Sequence, residues 1–483
     1  MGKGHGDPLS VLDAMFLRLE SPTEHMHTAG LFLFDPATDG DFDFYRFVDL
    51  IRSRLHLVPR FRQKLAFPPL QLGNPTWIDD EQFDISFHVR HAVLPQPGRM
   101  DQLMDYVGRL ISRQLDRDRP LWELYVIEGL EEGRVAYLGK THHAMIDGIT
   151  GIDIATLLMD FEPDVAPIPP ARPWVPSPRP SNRLLAWSAL EEQLLTARGL
   201  LEGAQRFAQT PRIVGARALA AGRGILSLVA SGVAPGPASP LNRTNGSQRR
   251  FVVQRLPLAE VKAVKDAFGT TVNDVVLALV GDATGRFLRE RGEDTRGLEL
   301  KVMVPVSMRS DDDRLVFGNR VSSVFVRLPI YEMDPVERLE RTHAAMRGVK
   351  ESGQILGAEC LINLSAYAPP TLHALAARLA ARTRLHNFVV TNVPGPRKTL
   401  YSLGMRLLGA FPALPLVQNH SYAVGVTSLD GWLNFGFTGD WDILADLDNV
   451  AGALVDALVE LSKHAQAAAS RGELFDPDRP PNE

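Results

Sequence analysis

The sequence predicts an α/β protein of two domains joined by a long linker. Its 483 residues, of which 45% are hydrophobic, are enough for two or three domains with large buried cores. Segments with the alternation of strands and segments with the spacing of helices follow one another in both halves of the chain. A stretch rich in proline and then in arginine separates the halves. We therefore expect domains at 1–162 and 249–483, with the linker at 163–248.

In the first half, the clearest prediction is a hairpin that ends at two histidines. Residues 123–128 and 135–138 alternate in the manner of strands on either side of a turn at 131–133. The apolar alternation of the second strand continues almost to His142 and His143. We therefore expect both histidines where this strand stops and the chain turns.

The linker is predicted to change character along its length. Eight prolines between 163 and 182 exclude a continuous helix or a central strand, so this part is expected to be extended. Leucine, alanine and arginine dominate from 184 to about 230, which predicts helix. Between 181 and 250, nine arginines stand against three glutamates. Such a basic stretch fits an anionic membrane surface, and the alternative is a linker helix packed on its own domains with its arginines in solvent.

The second half is predicted to continue the alternation of strands and helices. The predicted strands are 251–255, 299–306, 319–328 and 387–391, and the predicted helices are 258–268, 273–291, 334–351 and 370–383. A hairpin is expected from Tyr422 to Trp441, with its turn at Asp430 and Gly431. Two α/β halves of similar size leave a cleft between them, and such clefts are the usual place for a ligand site.

Composition argues against several classes of protein. A formal net charge of −5 lacks the basic field of a nucleic-acid-binding protein. The single cysteine, Cys360, excludes an intrachain disulfide and a thiolate metal site. No uninterrupted apolar run of about 18 residues predicts a transmembrane helix, and the first residues lack the apolar core of a signal peptide. We expect a cytoplasmic protein with no nucleic-acid partner and with peripheral membrane contact at most.

The motif His142-His143-Ala-Met-Ile-Asp147-Gly148 is the strongest candidate for an active site. Histidine has the side-chain pKa nearest to physiological pH, so it can take up a proton and return it within one turnover. Asp147 can orient the loop or form an ion pair, and Gly148 allows a bend that a side chain would resist. The alternative is a pair of surface or core histidines beside a turn.

Several further motifs join the histidines in a fixed order. They are Pro8-Leu-Ser-Val-Leu-Asp-Ala-Met-Phe16, His25-Met-His27, Asp118-Arg-Pro-Leu-Trp-Glu123, Thr271-Val-Asn-Asp-Val-Val-Leu-Ala278, Pro305-Val-Ser-Met-Arg309 and Thr391-Asn-Val-Pro-Gly-Pro396. From about residue 7 to 465, this set resembles the bacterial wax ester synthase/acyl-CoA:diacylglycerol acyltransferase family, especially its actinobacterial triacylglycerol synthases. The HHxxxDG motif alone is shared more widely, with chloramphenicol acetyltransferase and peptide-synthetase condensation domains.

The resemblance implies two chloramphenicol-acetyltransferase-like domains with a channel between them. It also implies transfer of a long-chain acyl group from acyl-CoA, as co-substrate, to diacylglycerol or a long-chain alcohol, at the inner membrane face or a lipid body. His143 matches the catalytic histidine. An alcohol is a poor nucleophile, so a base must remove its proton during attack on the thioester, and donors must stabilise the oxyanion. This chemistry needs no metal, no permanently bound cofactor and no acyl-enzyme.

The other residues of the motif receive supporting roles from the resemblance. His142 is expected to support the site, with simple packing as the alternative. Asp147 matches an aspartate that pairs with an arginine, and Arg309 is the natural partner because a bidentate pair would hold the loop firmly. Ordinary surface pairing is the alternative for Arg309. Gly148 is expected to support the turn.

Residues of the second half are candidates for binding acyl-CoA or the oxyanion. Thr391 and Asn392 end a predicted strand, and the superfamily often supplies oxyanion donors from a comparable strand. Turn formation before the following prolines is the alternative. Asn273 stands at the start of a predicted helix, where it is equally expected to be only an N-cap. Trp122 is expected in the core or in the channel wall.

Two other functions stay open at this point. Acyl transfer to another acceptor, such as a polyketide-type diol, an amine or a carrier-bound substrate, would in the last case require a docking surface for the carrier protein. The second alternative is that the protein keeps the fold but only binds lipid without catalysis, and the intact HHxxxDG motif argues against this.

Overall fold

A computed structural model describes most of the chain. The described residues are 7–36, 42–69, 73–146, 157–164, 173–191, 194, 235–307, 321–351, 384–396 and 398–471. The helices are α1 Val11–Leu19, α2 Phe44–Arg54, α3 Ile85–His88, α4 Met100–Ile111, α5 His143–Ile146, α6 Leu258–Phe268, α7 Val272–Glu290, α8 Pro335–Glu351 and α9 Asp448–Arg471. The strands are β1 His27–Phe34, β2 Gln63–Ala66, β3 Thr76–Asp79, β4 Val89–Val93, β5 Trp122–Glu128, β6 Val135–His142, β7 Arg249–Pro257, β8 Glu299–Ser307, β9 Val321–Pro329, β10 Phe388–Val393, β11 Tyr401–Ser402, β12 Met405–Ala413, β13 Tyr422–Leu429 and β14 Trp432–Asp440.

The first six-stranded sheet carries the predicted histidine hairpin. Its strand order is β11-β12-β1-β6-β5-β4, and β5 and β6 pair in antiparallel fashion as predicted. The turn between them contains Glu132 and Gly133, both with positive φ. Strand β6 continues through His142, and α5 begins at His143. The prediction that both histidines lie where the strand stops is confirmed.

The second six-stranded sheet has the order β7-β14-β13-β10-β8-β9. Strand β10 is parallel to β8 and to β13, whereas β13 and β14 form the predicted hairpin with its turn at Asp430 and Gly431. The predicted strands and helices of this half agree with the structure to within about two residues wherever they are described. The helix predicted at 370–383 lies outside the described residues.

The C-terminal half also supplies strands to the first sheet. Strands β11 and β12 leave the second half and extend the first sheet beside β1, with Ala29 opposite Ala413. Strand β12 also lies against the second sheet, where Pro412 contacts Gly425 and Gly436. The two halves are therefore interlocked through β12, and no local sequence pattern had indicated this arrangement.

Helix α4 provides a second connection between the halves. Gly108 of α4 comes so close to β7 that an added Cβ would lie 2.7 Å from the carbonyl oxygen of Arg249. The backbone N–H of Arg249 donates to Ser112 at 2.8 Å, and Arg250 forms ion pairs with Asp105 and with Asp448. These contacts hold the beginning of β7 against the first half.

The linker is described only in part. Residues 173–180 form neither helix nor strand, as their four prolines require, and residues 182–191 are helical. The arginines from 198 to 223 and Cys360 lie outside the described residues. No helix within the described residues is both long and apolar enough to cross a membrane.

Candidate active site

The end of β6 directs the two adjacent histidines to opposite sides of the first sheet. In strand register, His142 lies opposite His27, whose Nε2 is 2.9 Å from the Ile111 carbonyl oxygen of α4. The side chain of His142 therefore faces the α4 side. His143, one residue later, faces α1 on the other side, and its backbone N–H donates to the Met26 carbonyl oxygen at 2.7 Å. The two neighbours therefore have different surroundings.

The ring of His143 is half-buried and stacks on an aromatic side chain. Its centroid lies 4.2 Å from that of Phe16, with 23° between the ring planes. Burial, and next the neighbouring His142, lower the pKa of His143 from 6.5 to about 4. The imidazole is therefore neutral at neutral pH and able to accept a proton.

The ring of His142 is buried, and one of its two nitrogens has a hydrogen-bond partner. Its Nδ1 accepts the backbone N–H of Ala144 at 3.0 Å, so this nitrogen carries no proton. In the neutral ring the proton is then on Nε2, which lies 3.7 Å from Oε2 of Glu20. Since Nδ1 accepts the Ala144 N–H and Nε2 faces a buried carboxylate, this arrangement favours the supporting role over direct participation in the chemistry.

Glu20 is a member of the site that the sequence did not reveal. Burial would raise the pKa of this carboxyl, but His142 and Arg117 together lower it to about 2. Arg117 donates from Nε to Oε2 of Glu20 at 2.9 Å and also donates to the carbonyl oxygen of Leu17. The pair ties the end of α1 to the segment before β5. Neither residue stands in a recognisable motif, because the contact joins positions 97 residues apart.

Two of the candidate residues in the second half, Asn273 and Asn392, are in hydrogen-bond contact. Oδ1 of Asn273 accepts from Nδ2 of Asn392 at 3.4 Å, and Thr391 precedes Asn392 on β10. Helix α7 begins at Val272, and its N-cap is Thr271, which forms a capping box with Asp274. The expectation that Asn273 serves as the N-cap is therefore wrong, and its side chain is available for the contact with Asn392. Within the described residues, no hydrogen bond joins this pair to His143.

Asp274, not Asn273, has the structural role at this helix start. Its Oδ2 accepts from the backbone N–H and the hydroxyl of Thr271 and lies 2.8 Å from Nδ1 of His343 on α8. This buried carboxylate therefore caps one helix and fastens it to another. Asp147, Gly148 and Arg309 lie outside the described residues.

Two spaces lie near the end of β6. A cavity of about 240 Å³ lies against the first sheet and is bounded by Thr141, Trp122 and Leu158, among others. Trp122 is buried, donates from Nε1 to the Phe61 carbonyl oxygen at 2.8 Å and forms part of the wall, as expected. A groove of about 350 Å³ separates Met26 from Val417 of the other half. No cluster of three or more potential metal ligands occurs in the described part of the chain.

The comparison with protein families gives two matches that together span most of the chain. Residues 9–276 match the wax ester synthase/diacylglycerol acyltransferase catalytic domain, and residues 317–462 match the C-terminal domain of the same family. A probable diacylglycerol O-acyltransferase of Mycobacterium tuberculosis is 34% identical over 96% of this chain and 98% of its own length. A putative diacylglycerol O-acyltransferase of the same species is 33% identical over 94% and 89%.

Solved structures agree with this assignment. The wax ester synthase/diacylglycerol acyltransferase from Marinobacter aquaeolei VT8 superimposes with a TM-score of 0.69 and 28% identity, over 95% of this chain and 100% of its own. The first condensation domain of the calcium-dependent antibiotic synthetase, at 13% identity, shares the fold alone, with a TM-score of 0.54 over 95% and 96% of the two chains. The chain belongs to the wax ester synthase/diacylglycerol acyltransferase family.

Proposed function

We propose that the protein is an acyl-CoA-dependent O-acyltransferase that transfers a long-chain acyl group to diacylglycerol, and also to long-chain alcohols. The observation that carries this proposal is the neutral, half-buried imidazole of His143 at the end of β6, in a chain of this family. The names of the relatives support diacylglycerol as the acceptor and the acyltransferase class.

His143 acts as the general base in the proposed mechanism. Its neutral ring removes the proton of the acceptor hydroxyl as the oxygen attacks the thioester carbonyl carbon. The tetrahedral intermediate then collapses, the carbon–sulfur bond breaks, and the imidazolium returns the proton to the departing CoA thiolate. Burial makes the imidazolium unstable, which favours this second proton transfer. The ester and free CoA are the products, and no covalent enzyme intermediate forms.

His142 positions the turn that carries His143. Its Nδ1 accepts the N–H of Ala144, which directly follows His143, and its other nitrogen faces the buried carboxylate of Glu20. Asp147 and Gly148 of the same motif are also proposed to stabilise this turn. Asp147 pairs with Arg309, and Gly148 permits the bend.

Asn273, Thr391 and Asn392 are proposed to contact the acyl-CoA or the oxyanion. The hydrogen bond between the two asparagines fixes the orientation of the Asn392 amide, which leaves its second N–H for another acceptor. A fixed donor stabilises a developing oxyanion at little reorganisation cost. The supporting observation is the direct meeting of two residues that lie 119 positions apart.

A lipid acceptor implies that the enzyme acts at a lipid surface. The helical residues Trp187 and Leu190 are exposed and are spaced three apart, so they share one face of the helix, and Leu194 is exposed as well. Exposed tryptophan and leucine on one face are typical of helices that lie in a membrane interface. We propose that this face and the following arginine-rich segment hold the protein at the membrane or lipid body.

Vesicle binding tests the surface proposal. Co-sedimentation with phosphatidylglycerol vesicles is expected to fall when Trp187 and Leu194 are both replaced by serine. It is expected to fall also when Arg198, Arg206, Arg212 and Arg217 become glutamine. Phosphatidylcholine vesicles serve as the neutral control. Undiminished binding of both variants would refute the role of this segment.

The catalytic proposal is tested by release of free CoA thiol from palmitoyl-CoA. The acceptor is dioleoylglycerol, hexadecanol or none, and His143→Ala serves as the control. Thiol release that requires an acceptor and disappears in the variant is expected, with dioleoylglycerol the better acceptor. Folded protein that releases no thiol with either acceptor would refute the proposal and favour another acceptor or a binding role.

A further inference from the structure

We propose that the cavity on the first sheet receives the aliphatic chain of the acyl group, and that Gly30, Gly139 and Phe32 set the chain length. This inference rests on the acyltransferase function proposed above. It adds a specificity determinant that none of the motifs contains.

Strand register places the walls of the cavity in order of distance from the histidines. Thr28 of β1 lies opposite Thr141 of β6, Gly30 lies opposite Gly139, and Phe32 follows on β1. Directly opposed residues share a face of an antiparallel sheet, and so do residues two apart along a strand. From the His143 end inward, the sheet therefore presents two threonines, then two glycines, then the ring of Phe32.

The cavity and His143 share one side of the sheet. Leu157 and Leu158 bound the cavity, and they belong to the same hydrophobic cluster as Ala144 and Met145, which directly follow His143. A chain whose thioester carbonyl lies at His143 therefore needs no passage through the sheet to enter this space.

The two opposed glycines create the space. A Cβ added at Gly139 would lie 4.0 Å from Leu124 and from Phe32, which is ordinary van der Waals contact, so the backbone tolerates alanine there. A Cβ added at Gly30 would lie 3.1 Å from the Phe32 ring, so that ring would have to move. Side chains at these positions would occupy the middle of the cavity, and Phe32 lies beyond them along the strand.

The volume favours one aliphatic chain as the occupant. A space of about 240 Å³ is far larger than the ~10–15 Å³ that one water-sized group needs, so it has room for many methylene groups of a chain. The acyl chain of a thioester enters as a single chain, whereas diacylglycerol brings two chains. The walls are mainly apolar, since Phe32, Phe61, Trp122, Leu124 and both leucines surround the space. We therefore assign the cavity to the acyl chain, not to the acceptor.

The test is a chain-length profile in the full-length protein. The kcat/KM is measured for saturated acyl-CoA donors of about 4 to 18 carbons, from short to long chains, with dioleoylglycerol as the fixed acceptor. The variants are Gly139→Ala, Gly139→Val and Phe32→Ala. Gly281→Ala is the matched control, because a Cβ there also meets only ordinary contacts, at 3.8 Å from Leu328 in the other half. A parallel series varies the alcohol chain with hexanoyl-CoA as the donor.

We expect the ratio of long-chain to short-chain kcat/KM to fall about tenfold or more in Gly139→Val and less in Gly139→Ala. Phe32→Ala is expected to shift the profile towards longer chains, and Gly281→Ala to match the wild type. An unchanged ratio in both Gly139 variants would overturn the proposal, and so would a shift confined to the alcohol series. If the wild type releases no thiol with any donor, the proposed function itself fails, which is a distinct result. Should Gly139→Val not fold, Gly139→Ala decides.

Discussion

Each six-stranded sheet contains a pair of glycines directly opposite each other, and the two pairs differ in what lies above them. In the second sheet, Gly425 faces Gly436, and Pro412 of β12 fills the space. A Cβ at Gly436 would lie 2.0 Å from the Pro412 carbonyl oxygen. In the first sheet, Gly30 faces Gly139, and a cavity lies above them. A pair of opposed glycines therefore accommodates a neighbouring strand in one half and leaves an open space near the histidines in the other.

The comparison shows that His143, the proposed base, lies in the half where packing is incomplete. The second sheet is covered by a continuous hydrophobic core that includes Phe435 and Phe437. The first sheet combines its own core with an open space and a half-buried histidine. Four predictions test this division, from the largest expected effect to the smallest.

The largest effect is expected at the histidine on the open side of the first sheet. His143→Ala should lower kcat/KM roughly 100- to 10,000-fold, because the base is removed. His142→Asn should lower it only about tenfold, because the asparagine amide oxygen can still accept the Ala144 N–H. Thiol release and thermal melting are measured for both variants. Equal losses in two folded variants would place His142 in the chemistry.

A side chain added to the glycine pair covered by Pro412 should lower stability, whereas one added to the pair beside the cavity should not. Gly436→Ala should lower the free energy of unfolding by about 1–3 kcal/mol or more, because a Cβ overlaps the backbone of Pro412. Gly139→Ala should change it by less than about 1 kcal/mol, since its Cβ meets only ordinary contacts. Urea unfolding of the two variants gives the values. Similar losses for both would remove the distinction between the pairs.

The buried carboxylate below His142 should contribute to stability in a pH-dependent manner. Glu20 has a pKa of about 2 in the folded protein, below its usual 4.5, so its contribution is present above pH 4.5 and is lost as pH falls towards 2. Glu20→Gln should cost about 1–3 kcal/mol at pH 7. The partly exposed Arg117 weakens the pair relative to a fully buried one.

Urea unfolding at pH 7 and at pH 3 measures this contribution. The difference between wild type and Glu20→Gln should be smaller at pH 3. A difference that is equal at both pH values would show that the charge of Glu20 contributes nothing.

The smallest effect is expected in the pH profile. Burial lowers the pKa of His143 to about 4, so kcat/KM of the wild type should be lost only as pH falls below about 5. Phe16→Ala admits water to the ring and should move this acid limb upward by about one pH unit, towards the unperturbed histidine value. Phe83→Ala, which removes a ring stacked on His88, is the control and should leave the limb in place. An unmoved limb in Phe16→Ala would refute burial by Phe16 as the cause.

The sequence by itself determined the α/β class, the hairpins and most described helix and strand positions. These follow from the local alternation of apolar residues and from turn residues such as Asp430 and Gly431, which act over a few positions. It also determined the family and the position of His143 at a strand end, because the motif is contiguous in the chain.

Only the tertiary structure decided which side of the sheet each histidine faces and what surrounds it. Glu20 and Arg117, and Asn273 and Asn392, meet across 97 and 119 residues, and β12 joins the sheet of the other half. The expected N-cap role of Asn273 failed for a related reason, since Thr271 and Asp274 compete for the same helix end. The sequence also did not indicate what lies against a pair of opposed glycines, because a missing side chain shows where space exists but not what occupies it. That depends on how distant segments pack, and periodicity along the chain does not encode it.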